Sequence, residues 1–140
     1  VKTFIRFPNL KNYYANGKIA INEARFFMSC LETDPVLDVA TILVMVKKNE
    51  EGEYDILDDQ LNGAGYFGGY YDKNYQGYWF RITAAVQELM RSEEPDYGFE
   101  LYLSGGAVNA ERVLLNGTSP QLPFSMEDRM KLVITYTKLN

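Results

Sequence analysis

Apolar positions recur at every second residue through most of the chain. In the segment IAINEARFFMSCL, Ala24, Phe26, Met28 and Cys30 alternate with Glu23, Arg25, Phe27 and Ser29. That is the period of a pleated strand with one face in a core and the other toward water. Thr3, Ile5 and Phe7 share one face of an opening strand that Pro8 stops. Phe99, Leu101 and Leu103 alternate with Glu100, Tyr102 and Ser104, and Leu132, Ile134 and Tyr136 with Val133, Thr135 and Thr137. Val39 to Val46 is almost wholly apolar and rich in branched residues, which predicts a central strand covered on both sides. Residues 47–53 read as a charged hairpin tip, after which Tyr54 to Leu57 resumes pairing. Glu111 to Leu115 adds a further strand.

A helical period occurs once. Val86, Leu89 and Met90 form a narrow apolar stripe, with Gln87, Glu88 and Arg91 toward water and Thr83 placed to cap the start. Asn16-Gly17 marks a turn in loop 9–18, Thr33-Asp34-Pro35 and Gly105-Gly106 mark others, and residues 116–124 read as loop. Residues 58–78 are the least regular stretch. The sum is about eight short strands and one short helix, for which an antiparallel two-sheet β-sandwich is the economical all-β architecture. The 140 residues suit a single domain. With 11 Tyr, 8 Phe and 11 Gly, the composition favours strands joined by turns.

Charge and rare residues narrow the chemistry. Lys and Arg number 14 against 19 Asp and Glu, a net charge of −5, whereas a nucleic-acid partner calls for a clustered positive field. There is no histidine and only one cysteine, Cys30. Histidine-dependent triads and zinc sites of the His/Cys type are therefore excluded, as is an internal disulfide. No apolar run is long enough to span a membrane as a helix, and the opening residues VKTFIRFPNL carry neither a basic-plus-apolar leader nor a lipidation cysteine. Nothing in the chain calls for a cofactor.

The order of segments is familiar in one respect. Ile5-Arg6-Phe7, Phe80 to Met90, Tyr97 to Leu101 and Lys131 to Tyr136 resemble, in turn, the recurring opening strand, strand–helix segment, middle strand and final strand of DNRLRE-type jelly-roll modules. Met130 stands where those modules carry a proline. More closely, the ending ERVLLNG followed by MKLVITYTKLN is similar to the C-terminal domain, of unknown function, of surface lipoproteins from Bacteroidetes-type bacteria. The resemblance implies a jelly-roll-like, non-catalytic C-terminal module of a longer protein. That protein would be anchored in the outer membrane or cell envelope through an upstream cysteine, with a role in extracellular binding or structural support. Its partners would be a glycan, another envelope protein or the upstream region of its own chain, which could pair with an open sheet edge.

The best candidate surface is the Gly- and Tyr-rich segment 63–81. Tyr70, Tyr71, Tyr75, Tyr78 and Trp79 offer rings for the C–H faces of a sugar, and Asp72, Asn74, Gln76 and Arg81 offer hydrogen bonds to its hydroxyls. The alternative is that these rings only cover the end of the sandwich. The carboxylate neighbours Asp58-Asp59, Glu93-Glu94 and Glu127-Asp128 read as solvated loop charges. Adjacent residues on a strand face opposite ways, so they make a poor glycosidase pair, and a glycoside-active enzyme is the least favoured reading. Asp55, Asp58 and Asp59 are the donors a calcium ion would use, without the spacing of an EF-hand loop. Cys30 reads as a buried, inert thiol. Arg6 reads as the structural partner of a carboxylate on a neighbouring strand. Asn116-Gly117-Thr118 matches a glycosylation sequon but reads more simply as a turn.

Overall fold

A computed structural model describes residues 3–13, 17–30, 42–104, 115–120 and 126–139. Among the described residues seven strands form two antiparallel sheets, so the chain is an all-β two-sheet sandwich. The strands are β1 (Thr3–Ile5), β2 (Ile19–Ser29), β3 (Leu43–Lys48), β4 (Tyr54–Ile56), β5 (Gly77–Arg81), β6 (Phe99–Leu103) and β7 (Lys131–Lys138). One sheet has the order β1-β6-β3-β4 and the other β5-β2-β7. Among the described strands only β3 and β4 follow one another within a sheet; every other connection changes layer. The strand read at Glu111 to Leu115 and the turns at Thr33 to Pro35 and Gly105-Gly106 lie outside the described residues, apart from Leu115, which bridges Cys30.

The alternation in β2 is what assembles the layers. Ala24, Phe26 and Met28 are buried, while Arg25 and Phe27 are only half-buried on the opposite face. Phe26 faces Phe80 on β5 and Leu132 on β7; Met28 faces Tyr78. The β2–β7 register shifts between Ile21 and Glu23. An extra residue there resets the phase, so Ile21 points inward as well as Ala24. Phe7 reaches between the sheets and meets Phe26 and Phe99 edge-on, with ring centroids 5.5 and 5.7 Å apart.

Several strands differ locally from the pattern-based reading. β1 ends at Ile5, and Leu10 to Tyr13 form a 3-10 turn that buries Leu10. β3 includes Lys47 and Lys48, which pair with Asp55 and Tyr54, so the hairpin tip is confined to residues 49–53. The cross-strand Lys47–Asp55 register extends pairing into the charged run. Asn49 Oδ1 accepts the Glu53 N–H to close that tip. Val44, expected to be covered on both sides with its neighbours, is half-buried, and positions 39–41 lie outside the described residues. Glu100, which alternation puts on the polar face of β6, is buried at 1% exposure, because β6 is an interior strand flanked there by Phe4 and Val46.

The irregular stretch before β5 contains a 3-10 turn, Asp58–Asn62, and a one-turn helix α1, Ala64–Phe67. Helix α2, Thr83–Arg91, follows β5. Ala85, Val86 and Met90 form its buried stripe. Thr83 does not cap it: the Thr83 hydroxyl accepts the Ala24 N–H instead. The free N–H groups of Ala84 and Ala85 donate to the two oxygens of Asp59, at 2.9 and 3.1 Å. Asp59 is 1% exposed, so one buried carboxylate ties the 58–62 turn to the positive end of α2. Gln87, read as facing water, donates to the Ile21 carbonyl at 3.0 Å and holds the helix over β2.

Replacing Asp59 with Ala orphans two helix N-terminal donors, one of them buried. Asp59→Ala is expected to lower stability by about 1–2 kcal/mol, the cost of losing a helix cap. Urea unfolding followed by far-UV circular dichroism checks this: the midpoint falls and the slope holds.

Candidate functional site

The segment before β5 is shaped by two glycines. Gly68 and Gly69 have φ of +87° and +95°, values that residues with a β-carbon rarely adopt. A β-carbon on Gly68 would stand 2.4 Å from the Trp79 carbonyl oxygen, and one on Gly69 would stand 2.6 Å from the Leu43 oxygen. This close approach allows Gly69 to donate its N–H to Trp79 and accept one from Leu43, so the crossing joins β5 of one sheet to β3 of the other. Tyr70 then bridges Ile42. Beyond it, Asp72 Oδ1 accepts the N–H groups of Asn74 and Tyr75, and the chain turns back into β5 at Gly77.

The result is a cleft of about 350 Å³ lined by Tyr70, Tyr71, Asp72, Lys73 and Trp79, with Gly65 and Gly68 as open backbone. Of the expected site residues, Tyr70, Tyr71, Asp72 and Trp79 therefore come together. Tyr70 is the most open ring of the segment at 45% exposure. Tyr78 is fully buried, because it alternates with Trp79 on β5 and faces Met28; Tyr71 packs against it edge-on at 5.6 Å. Tyr75 leans away onto Phe27, centroids 5.6 Å apart. Its phenol is held above the ordinary range by burial, then by the negative charge of Asp128 and by Cys30. Asn74 and Gln76 are exposed and do not line the cleft.

Arg81 is no free fork of donors. It donates to the Tyr66 carbonyl at 3.0 Å, lies over the Tyr66 ring at 4.5 Å and the Trp79 ring at 5.4 Å, and reaches Glu23 at 3.9 Å. Arg25, its cross-strand neighbour, lies over Trp79 at 4.9 Å and pairs with Glu23. Two guanidiniums held by one carboxylate thus fix the indole, each such contact contributing about 0.5–2 kcal/mol. Sequence reasoning passed over Lys73, Tyr66 and Arg25. Arg25 was legible in principle, since the β2 alternation puts it on the outer face.

Asp59 is consumed by the α2 cap, and among the described residues no three His, Cys, Asp or Glu side chains come together to hold a metal ion. The calcium donors are therefore not assembled. Glu93, Glu94 and Glu127 are exposed. Arg6 pairs with no carboxylate among the described residues; Asp96, with which it lines a shallow cleft, is engaged by the N–H groups of Phe7 and Gly98. Asn116 is 2% exposed and its side-chain amide donates to Ser29 Oγ at 2.7 Å, so its nitrogen is committed inside the fold. Cys30 is buried, and burial raises its thiol from 9.0 to about 11.

Among the described residues, no helix is long and apolar enough to cross a membrane. No protein family, curated protein or solved structure matches the chain.

The raised thiol has a sign. Below pH 9 it is neutral whether the chain is folded or unfolded; between about 9 and 11 only the unfolded chain ionises. Stability is therefore expected to fall across that window by more in the natural chain than in Cys30→Ala. Melting temperature against pH for the pair checks this, and a disulfide reagent at pH 8 should react only after unfolding.

Proposed function

We propose that the chain is a non-catalytic β-sandwich binding module of a bacterial cell-envelope protein, and that it takes carbohydrate in the cleft beside Trp79. The envelope setting rests on the resemblance to the C-terminal domain of surface lipoproteins. The ligand class rests on one observation. Arg25 and Arg81 both lie over the Trp79 ring, and that ring lines a cleft with Tyr70, Tyr71 and Asp72. A sugar offers a flat C–H face that stacks on an open ring, here Tyr70, and hydroxyls that need planar acceptors and cationic donors at the edge, here Asp72 and Lys73. These contacts fix the cleft wall before the ligand arrives, which lowers the ordering cost of binding. The cleft volume lies in the range of small-ligand sites.

A binding role is favoured over glycoside cleavage by the chemistry at hand. Hydrolysis needs two carboxyl groups roughly 5–10 Å apart across the bond. Among the described residues, Asp72 is the one acid lining this cleft, and its Oδ1 is committed to the turn. The chain has no histidine, and its one thiol is buried and held neutral.

Trp79 is the only tryptophan, so its emission reports the cleft directly. Titration with oligosaccharides chosen from a glycan array should shift that emission with saturation. Tyr70→Ala should weaken binding roughly tenfold, the scale of losing one well-placed stacking ring. Asp72→Asn, which keeps a turn acceptor, separates loss of charge from loss of the loop. Glycan binding that left Trp79 emission unchanged and was indifferent to Tyr70→Ala would refute the assignment.

A further inference from the structure

Charge is distributed unevenly around the Trp79 cleft. The whole chain carries a net charge of −5. Lining the cleft or lying over its indole, however, are three cations, Lys73, Arg25 and Arg81, against two carboxylates, Asp72 and Glu23, that line it or pair with those cations. Both carboxylates are engaged. Glu23 pairs with Arg25 and reaches Arg81 at 3.9 Å, so it screens the two guanidiniums over the indole. Asp72 Oδ1 accepts the N–H groups of Asn74 and Tyr75 at 2.9 and 3.2 Å, which directs that oxygen into its own loop. Lys73 lines the cleft, is exposed, and its ammonium makes neither an ion pair nor a hydrogen bond among the described residues. The unpartnered full charge on the cleft wall is therefore positive.

The local backbone makes that charge usable. The Asp72 N–H donates to the Gly77 carbonyl at 2.8 Å, and the Gln76 N–H donates to the Asp72 carbonyl at 2.7 Å. The loop under Lys73 is thus tied at its neck, while the side chain is untied. An ammonium on a flexible four-carbon stem can sweep the mouth of the cleft from such a base. Tyr70, the most open ring of the segment, stands three residues earlier and lines the same cleft. A pyranose stacked on that ring carries its substituents outward along its edge. In a uronic acid one of them is a carboxylate, in the place of a neutral sugar's hydroxymethyl group. A hydroxyl offers Lys73 little that water does not, whereas a carboxylate offers a charge-assisted bond.

We infer that the carbohydrate taken here is acidic, a uronate whose ring stacks on Tyr70 and whose carboxylate pairs with Lys73. This rests on the carbohydrate reading of the cleft and narrows its ligand class. The ring supplies most of the affinity and the charge supplies the selection, because an exposed ion pair is worth about fivefold in binding. Arg25 and Arg81 touch no ligand in this arrangement. They add a positive field around the indole that Glu23 only partly cancels, and salt screens that field over about 10 Å.

The test titrates the whole chain with oligomers of polygalacturonate, alginate and hyaluronate, each beside its carboxyl-reduced, neutral form. Calorimetry and Trp79 emission follow binding. At least one uronate oligomer should bind roughly fivefold more tightly than its reduced form in about 50 mM salt, and about 500 mM salt should erase the difference. Lys73→Gln should bring the acidic oligomer down to the affinity of the reduced one and leave the reduced one unchanged, whereas Lys73→Arg should keep the preference. Tyr70→Ala should weaken both forms alike. Lys73 is exposed, so both of its variants should match the natural chain by circular dichroism. Equal binding of acidic and reduced forms, or a preference for the acid that survives Lys73→Gln, would overturn the inference and leave a carbohydrate site standing. Binding of a sulfated carrageenan oligomer but of no uronate would overturn it as well. Failure of every oligosaccharide to bind, neutral ones included, would remove the carbohydrate reading along with it.

Discussion

The structure depends on one constraint: β2 must keep one face in the core on both sides of its register shift. It is the middle strand of its sheet, so its inward side chains meet both neighbours and the opposing layer at once. Ala24, Phe26 and Met28 supply the tight contacts, and the register shift near Ile21 lets the strand keep the same inward face past its irregular point. Interiors pack at near-crystalline density, so a change of one methylene at these positions is felt by every strand around them.

The outward face of the same strand explains the cleft. Arg25 projects there because Ala24 and Phe26 project inward, and it arrives over Trp79 because β5 pairs in register with Arg25 opposite Arg81. The period that builds the core therefore also orients the indole. The glycine crossing at Gly68 and Gly69 then brings Tyr70 and Tyr71 beside a ring that is already fixed.

Much of this was legible in the sequence, and the limits are physical. Alternation in β2, β6 and β7 gave the strands and the sandwich, because burial of one face leaves a period in the chain. The same period separates Tyr78 from Trp79, yet composition alone had grouped them; the aromatic richness of the segment masked its alternation. Glu100 broke the pattern because an interior strand can be covered on both faces, which depends on neighbours far away in sequence. The true cap of α2 was hidden for the same reason: Asp59 lies 25 residues before Ala84, and no local signal joins a turn to a distant helix end. Thr83 is of the residue type that caps helices, but its hydroxyl accepts the Ala24 N–H from β2.

The interleaving of strands between layers has a consequence for how the chain reaches this state. Since all but one pair of consecutive described strands lie in different sheets, neither layer can be completed from a contiguous stretch. Non-local pairing of this kind is slow to nucleate, because loops must close before contacts reward them. β2, formed early in the chain, waits for β7, which comes last. Until synthesis passes Lys138, the apolar row of β2 has no partner on that side, so shortened products expose a sticky edge and become substrates for chaperones or proteases rather than partly working copies.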